Sequence, residues 1–176
     1  DTETPQGIIA VCEMRTKRLD DFLASGKMLL VLDRVTDPGN IGTMLRTADA
    51  AGVGGLLLLN GCADIYAPKT VRASMGSLFH LPVLSGLSEE LLVQAARKAG
   101  YELLVTCLDG ADNLYKADLQ GRLAFVMGNE ANGVSDALLA AADKRVFIPM
   151  QGRAESLNVA MAAGIVMFEA LRQRLK

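Results

Sequence analysis

Hydrophobic residues along the chain fall into short continuous runs rather than an alternating pattern. The runs of strand length cover residues 28–32, 56–59, 81–84, 103–107, 123–127 and 146–148. Strands that are apolar on both faces are typical of parallel sheets covered by helices on both sides. The pattern therefore predicts an α/β fold with a mostly parallel sheet flanked by helices.

Helical spacing appears between most of these runs. Residues 41–51 place apolar side chains three and four positions apart, and residues 88–99 open with a capping serine and stop at a glycine. Two further helices are predicted, one from about Ser135 and one over residues 157–174. Strands that alternate with helices in this way support the α/β class.

The loop from the first strand to the first long helix carries unusual polar residues. In an open α/β sheet, ligands bind beyond the carboxyl ends of the strands. Asn40 stands where a helix N-cap is expected, and Gly42 and Arg46 are four residues apart. The missing side chain of Gly42 is expected to leave room for a ligand near Arg46. The alternative is an ordinary capped helix with a solvated arginine.

A second loop, residues 128–133, follows the apolar run that ends at Met127. Its glycines, Gly128 and Gly133, would let the backbone approach a flat ligand closely, and Glu130 adds a carboxylate. The alternative is a simple turn, because Asn and Gly dominate turns for conformational reasons alone.

A third loop, residues 148–158, again leads from a strand to a helix. Ser156 fits a helix N-cap, which would place Asn158 inside the helix, where asparagine is a mediocre helix former. A polar side chain kept there points to a functional site.

Other enzyme classes find little support. The one histidine, His80, lies in an apolar context, so a structural role is favoured over a Ser-His-Asp triad. A nicotinamide dinucleotide enzyme would need G-x-G-x-x-G after the first strand, and this pattern is missing. No Walker-type phosphate loop occurs either.

Bulk properties narrow the class further. The 176 residues are enough for one substantial domain, and a net charge of −2 argues against a protein that coats nucleic acid non-specifically. The 3 cysteines form no CxxC pair, which fits a reducing cytoplasm. No apolar stretch has the length of a membrane span.

Together the three loops resemble the signature motifs of the SpoU-type RNA 2′-O-ribose methyltransferases, a family of the knotted SPOUT class. The matching residues are Asn40-Ile41-Gly42 with Arg46; Gly128-Asn129-Glu130 with Gly133; and Ile148-Pro149-Met150 with Gly152 and Ser156-Leu157-Asn158-Val159. Any one motif could arise by chance, but all three in order make the match specific. The similarity runs from about Lys27 to the C-terminus.

The resemblance implies a fold, a cofactor and a set of site residues. The C-terminal segment is expected to form a deep trefoil knot, one of the rare exceptions to unknotted topology. S-adenosylmethionine is the expected methyl donor, with S-adenosylhomocysteine as product and no metal. Main-chain groups of Leu108, Gly128, Ile148 and Leu157 are expected to hold the cofactor. The implied catalytic residues are Asn40, Arg46, Glu130, Ser156 and Asn158.

The resemblance also implies partners. RNA is the expected substrate, with ribosomal RNA favoured over transfer RNA. The protein is expected to be a homodimer that packs through its last helix, and to lie in the cytoplasm. Residues 27–176 are then the catalytic domain, and residues 1–26 a tail or the remnant of a linker from an RNA-recognition domain. A non-catalytic RNA-binding or ribosome-assembly module with the same fold remains the alternative.

Overall fold

A computed structural model describes residues 7–8, 10–14 and 17–175 of the chain. The tail predicted over residues 1–26 therefore lies partly outside the described residues. Within it, helix α1 (Leu19–Ala24) packs Phe22 and Leu23 against the sheet.

The remaining elements alternate between strands and helices. They are β1 (Leu29–Leu32), α2 (Pro38–Ala50), β2 (Gly55–Leu59), α3 (Pro68–Ala73), β3 (Val83–Leu87), α4 (Glu89–Lys98), β4 (Glu102–Thr106), β5 (Asp112–Asn113), β6 (Leu123–Met127), α5 (Asp136–Ala141), β7 (Lys144–Phe147) and α6 (Val159–Arg174). Short 3₁₀ helices cover Ser77–Phe79 and Leu114–Lys116. None of the described helices is long and apolar enough to cross a membrane.

The described strands form one sheet in the order β3-β2-β1-β6-β4-β7-β5. Each pair of neighbours is parallel, which confirms the predicted α/β class. The short strand β5 was not predicted, because Asp112 and Asn113 carry no apolar run and form an edge strand that pairs only with β7. The strand predicted at residues 81–84 corresponds to β3, which begins and ends closer to the C-terminus than predicted.

The sheet divides the core into two layers, because successive side chains of each strand point to opposite faces. In β1, Leu30 and Leu32 face the layer that holds α2 and α6, whereas Leu29 and Val31 face the layer that holds α4 and α5. Side chains on both faces are fully buried, which is why this strand reads as a continuous apolar run.

Two helix starts differ from the sequence predictions. Asp37, not Asn40, caps α2, because its carboxylate accepts the N–H of Gly39. Asn158, not Ser156, caps α6, since its side-chain oxygen accepts the N–H groups of Ala160 at 2.9 Å and Met161 at 3.3 Å. Asn40 is therefore inside its helix and Asn158 outside, the reverse of what was predicted.

The role predicted for Gly42 was also wrong. A Cβ at this position would lie 2.6 Å from both the Cβ of Ala73 and the carbonyl oxygen of Thr70. The missing side chain lets α3 pack directly on α2, so it leaves no room for a ligand.

Candidate active site at the carboxyl ends of the central strands

The candidate site lies where the strand order changes direction. From β1 the chain runs outward through β2 to β3, and the strands that follow are on the other side of β1. Loops that diverge from such a point open a crevice at the carboxyl ends of the strands.

A cleft of about 480 Å³ occupies this position. Its lining comes from the segments after β4, β6 and β7 and from the start of α6: Thr106, Cys107, Leu108, Met127, Gly128, Asn129, Glu130, Gly133, Val146, Phe147, Ile148, Met150, Glu155, Ser156, Leu157, Asn158, Val159 and Ala162. Ligand pockets for molecules of cofactor size have volumes of roughly 300–1,000 Å³ and mostly apolar walls with a few polar groups. The cleft has both properties.

A directed chain of hydrogen bonds joins the three loops at the mouth of the cleft. The side-chain amide of Asn158 donates to the side-chain oxygen of Asn40 at 3.0 Å. The amide of Asn40 in turn donates to Oε1 of Glu130 at 2.9 Å. Because the oxygen of Asn158 is already committed to capping α6, the orientation of both amides follows from the helix start.

Glu130 is held in its ionised form by this arrangement. Partial burial by itself raises its pKa, but hydrogen bonds from Asn40 and from backbone N–H groups, including that of Thr36, outweigh it, so the pKa lies below its ordinary value. Glu130 therefore acts as a hydrogen-bond acceptor at neutral pH.

A second set of contacts fixes the loop that carries Glu130. The fully buried Asp33 accepts the N–H of Ser135 at 2.8 Å and forms a bidentate pair with Arg34. The carbonyl of Arg34, which has a left-handed φ of 54°, accepts the side-chain amide of Asn129 at 2.8 Å. Both ends of the loop are thus fastened to the end of β1, which holds Glu130 opposite Asn40.

Gly128 is required by the loop itself. A Cβ there would lie 2.2 Å from the carbonyl carbon of Gly133, because the chain folds back through paired hydrogen bonds between Asn129 and Gly133. The missing side chain therefore lets the protein's own backbone approach, and Gly128 also lines the cleft, as expected for a residue near a ligand.

Comparison with known proteins identifies the family of the chain. The sequence profile of the SpoU rRNA Methylase family matches residues 27–168. This chain belongs to that family.

Similar proteins include two ribosomal RNA methyltransferases. The 23S rRNA (guanosine(2553)-2'-O)-methyltransferase RlmP of Bacillus subtilis is 40% identical over 96% of this chain and 66% of the relative. The 23S rRNA (guanosine-2'-O-)-methyltransferase RlmB of a Burkholderia species is 36% identical over 97% and 71%, respectively. The chain spans only 62% and 63% of the length of two other curated relatives.

Solved structures of two methyltransferases share the fold. The AdoMet-bound rRNA methyltransferase from Sinorhizobium meliloti superposes with a TM-score of 0.85 at 38% identity, covering 93% of this chain and 63% of that one. The SpoU methyltransferase AviRb from Streptomyces viridochromogenes, in complex with AdoMet, gives 0.84 at 40% identity, covering 92% and 66%.

Most of the SpoU positions named from the sequence meet at one place. Seven of them line the cleft: Leu108, Gly128, Glu130, Ile148, Ser156, Leu157 and Asn158. Asn40 does not line it but bonds to two residues that do.

Arg46 is placed differently. It is exposed on α2, does not line the cleft, and makes no hydrogen bond or ion pair to another described residue. On the helix it lies between Gly42, which packs on α3, and Asp49, which pairs with His80 at 3.3 Å. His80 is itself exposed, so its apolar sequence context did not indicate burial.

Three residues of the site region were given no role from the sequence. Asp33 directly follows one apolar run and Asn129 comes two residues after another, and this polar position at a strand end was the available signal. Glu155 stands beside Ser156 in the third loop, where no local pattern distinguished it from a surface residue.

Proposed function

We propose that this chain is the catalytic domain of an S-adenosylmethionine-dependent RNA 2′-O-ribose methyltransferase that acts on ribosomal RNA. The observation that carries the proposal is the hydrogen-bond chain from Asn158 through Asn40 to Glu130. It places three polar side chains from three distant segments at the mouth of one mostly apolar cleft. The ribosomal RNA methyltransferases among the relatives support the choice of substrate.

The cleft fits the cofactor. Leu108, Ile148 and Leu157 provide apolar surface for a flat base, and Gly128 exposes backbone without a side chain. S-adenosylmethionine supplies a methyl group already activated by its positive sulfur. The protein therefore has to align the ribose hydroxyl with that methyl group and exclude other geometries.

The polar residues have separate positioning roles. Ser156 and Asn158 orient the ribose at the cleft, and Glu130 keeps the amide of Asn40 in place. Arg46 binds a phosphate of the RNA, because its guanidinium is exposed and without a partner among the described residues. An arginine is effectively never deprotonated in a protein, so this role is preferred to that of a general base.

Binding and transfer measurements test the proposal together. Calorimetric titration should show one S-adenosylmethionine site per subunit, and tritium from labelled cofactor should appear in unmodified ribosomal RNA. Cofactor binding without label in ribosomal or transfer RNA would favour the non-catalytic RNA-binding module instead. A folded protein that binds no cofactor would exclude both the enzyme and its mechanism.

The homodimer is proposed on the exposed face of α6. Met161 and Phe168 are 61% and 46% exposed, whereas Ala163 and Met167 on the opposite face are buried in the core. A helix that is apolar on both faces needs a cover on each. Phe168→Glu should shift the sedimentation of the protein from dimer to monomer, whereas Leu91→Glu on α4, an equally apolar exposed position, should not.

The knot is proposed from the path of the chain. β7 lies on the far side of β4 and β6 from β1, yet α6 packs against α2, which follows β1. The segment between β7 and α6 must therefore cross the ends of the intervening strands, and its residues Ile148, Met150 and Leu157 line the same cleft as the loop after β6. This crossing supports a C-terminal trefoil knot.

A further inference from the structure

The charged side chains among the described residues that line the cleft are all acidic. Its two carboxylates are Glu130 and Glu155, and no Lys, Arg or His is among the described residues that line it. The thiol of Cys107 adds no charge at neutral pH, because burial raises its pKa. Carboxylates are therefore the only charged side chains among the described residues of the lining, and Arg145, whose charge also acts on the Cys107 thiol, lies outside it.

The two carboxylates differ in their hydrogen bonds. Both oxygens of Glu130 accept hydrogen bonds, one from Asn40 and one from the N–H of Thr36. Glu155 makes no hydrogen bond or ion pair to another described residue. Its neighbours in sequence, Ser156 and Leu157, both line the cleft with it, so the unpartnered carboxylate stands at the rim.

The acidic lining matters for methyl transfer, because the cofactor changes its charge in that reaction. The inference therefore rests on the proposed function. S-adenosylmethionine carries a sulfonium, an ammonium and a carboxylate, for a net charge of about +1 at neutral pH. After methyl transfer the sulfonium has become a neutral thioether, so the product has a net charge near zero. A cleft lined by carboxylates therefore binds S-adenosylmethionine more tightly than its product of near-zero net charge.

We propose that Glu155 makes the site selective for the sulfonium donor over the thioether product, so that spent cofactor leaves and fresh donor replaces it. The carboxylate acts through its charge at the cleft rim and takes no part in the transfer itself. If both forms bound equally well, the product would compete with the donor for the site on equal terms.

Equilibrium binding tests this without any need for activity. Dissociation constants for S-adenosylmethionine and S-adenosylhomocysteine are measured calorimetrically on the full chain and on Glu155→Gln, which keeps the shape and removes the charge. We expect the ratio of the two constants to fall by about threefold to tenfold, with the constant for the product changed by less than about twofold. An analogue with a protonated amine in place of the sulfonium should behave like the donor.

Three controls define the outcome. Glu155→Asp keeps the charge and should keep the preference, while Glu90→Gln, exposed on α4, should leave both constants unchanged. Raising the salt concentration to about 1 M should reduce the preference of the wild type, because the Debye length then falls to about 3 Å.

Two results overturn the inference. An equal weakening of both ligands in Glu155→Gln would mean that Glu155 contacts a group common to them, and an unchanged ratio would mean that its charge is not felt. Failure of the wild type to bind either ligand is a different result, since it would remove the proposed function itself.

Discussion

The side-chain amide of Asn158 donates a hydrogen bond to the side-chain oxygen of Asn40 at 3.0 Å, across 118 positions of sequence. Since the oxygen of Asn158 caps α6, the helix start dictates which way the amide of Asn40 points. That amide can then only donate to Glu130. The position at which α6 begins therefore fixes the orientation of all three polar side chains.

Asn40→Asp should break this chain while keeping the shape of the side chain. A carboxylate cannot donate to Glu130 and repels it, so we expect methyl transfer to fall by about 100-fold. Asn60→Asp, at an exposed position after β2, should retain wild-type rates of tritium transfer. Full activity in Asn40→Asp would show that the chain of hydrogen bonds is not needed for catalysis.

Arg46→Ala should separate RNA positioning from cofactor binding. We expect methyl transfer to fall by at least about 100-fold, because a misaligned ribose loses the advantage of a fixed geometry. The dissociation constant for S-adenosylmethionine should stay within about twofold, since Arg46 does not line the cleft. Arg18→Ala, at a side chain 85% exposed, is the matched control for loss of a surface charge. Retained transfer in Arg46→Ala would refute the assigned role.

Gly128→Ala should damage the cofactor cleft through the backbone. The added Cβ would lie 2.2 Å from the carbonyl carbon of Gly133, so the loop has to shift, at a cost of about 1–3 kcal/mol in unfolding free energy. Calorimetry should show at least about tenfold weaker cofactor binding. Gly121→Ala, before β6 and away from the cleft, adds a Cβ at an ordinary 3.6 Å from the Glu102 carboxylate and should bind the cofactor normally. Equal binding by both variants would contradict the packing argument.

Glu169→Gln should alter the acid stability of the fold. Hydrogen bonds from Arg172 and then from Gln173 lower the pKa of the buried Glu169 to about 2 from its ordinary 4.5. A depressed folded-state pKa means that this stabilisation is complete above pH 4.5 and is lost as the pH falls toward about 2. Urea unfolding between these pH values should therefore show a flatter decline for Glu169→Gln than for the wild type. Exposed Asp20→Asn should follow the wild-type slope, and an unchanged slope in Glu169→Gln would show that the pair does not stabilise the fold.

The sequence was informative wherever a residue's role depended on its immediate neighbours. The run at 123–127 coincides with β6, and Ser88 caps α4 as predicted, because burial on both faces and helix capping are local requirements. Predictions failed where the partner was distant. Gly42 was interpreted from its own helix, but its constraint comes from Thr70 and Ala73 of α3.

By itself the sequence determined the α/β class, the main strands and long helices and the three candidate loops, because periodicity and strand-end position are properties of contiguous residues. Only the tertiary structure decided that Asn40, Glu130 and Asn158 form one hydrogen-bonded chain and that Glu155, at the cleft, has no partner among the described residues. Such relationships depend on which strands are neighbours in the sheet. The β1, β6, β4 and β7 ends meet through non-local pairing, which no local pattern encodes.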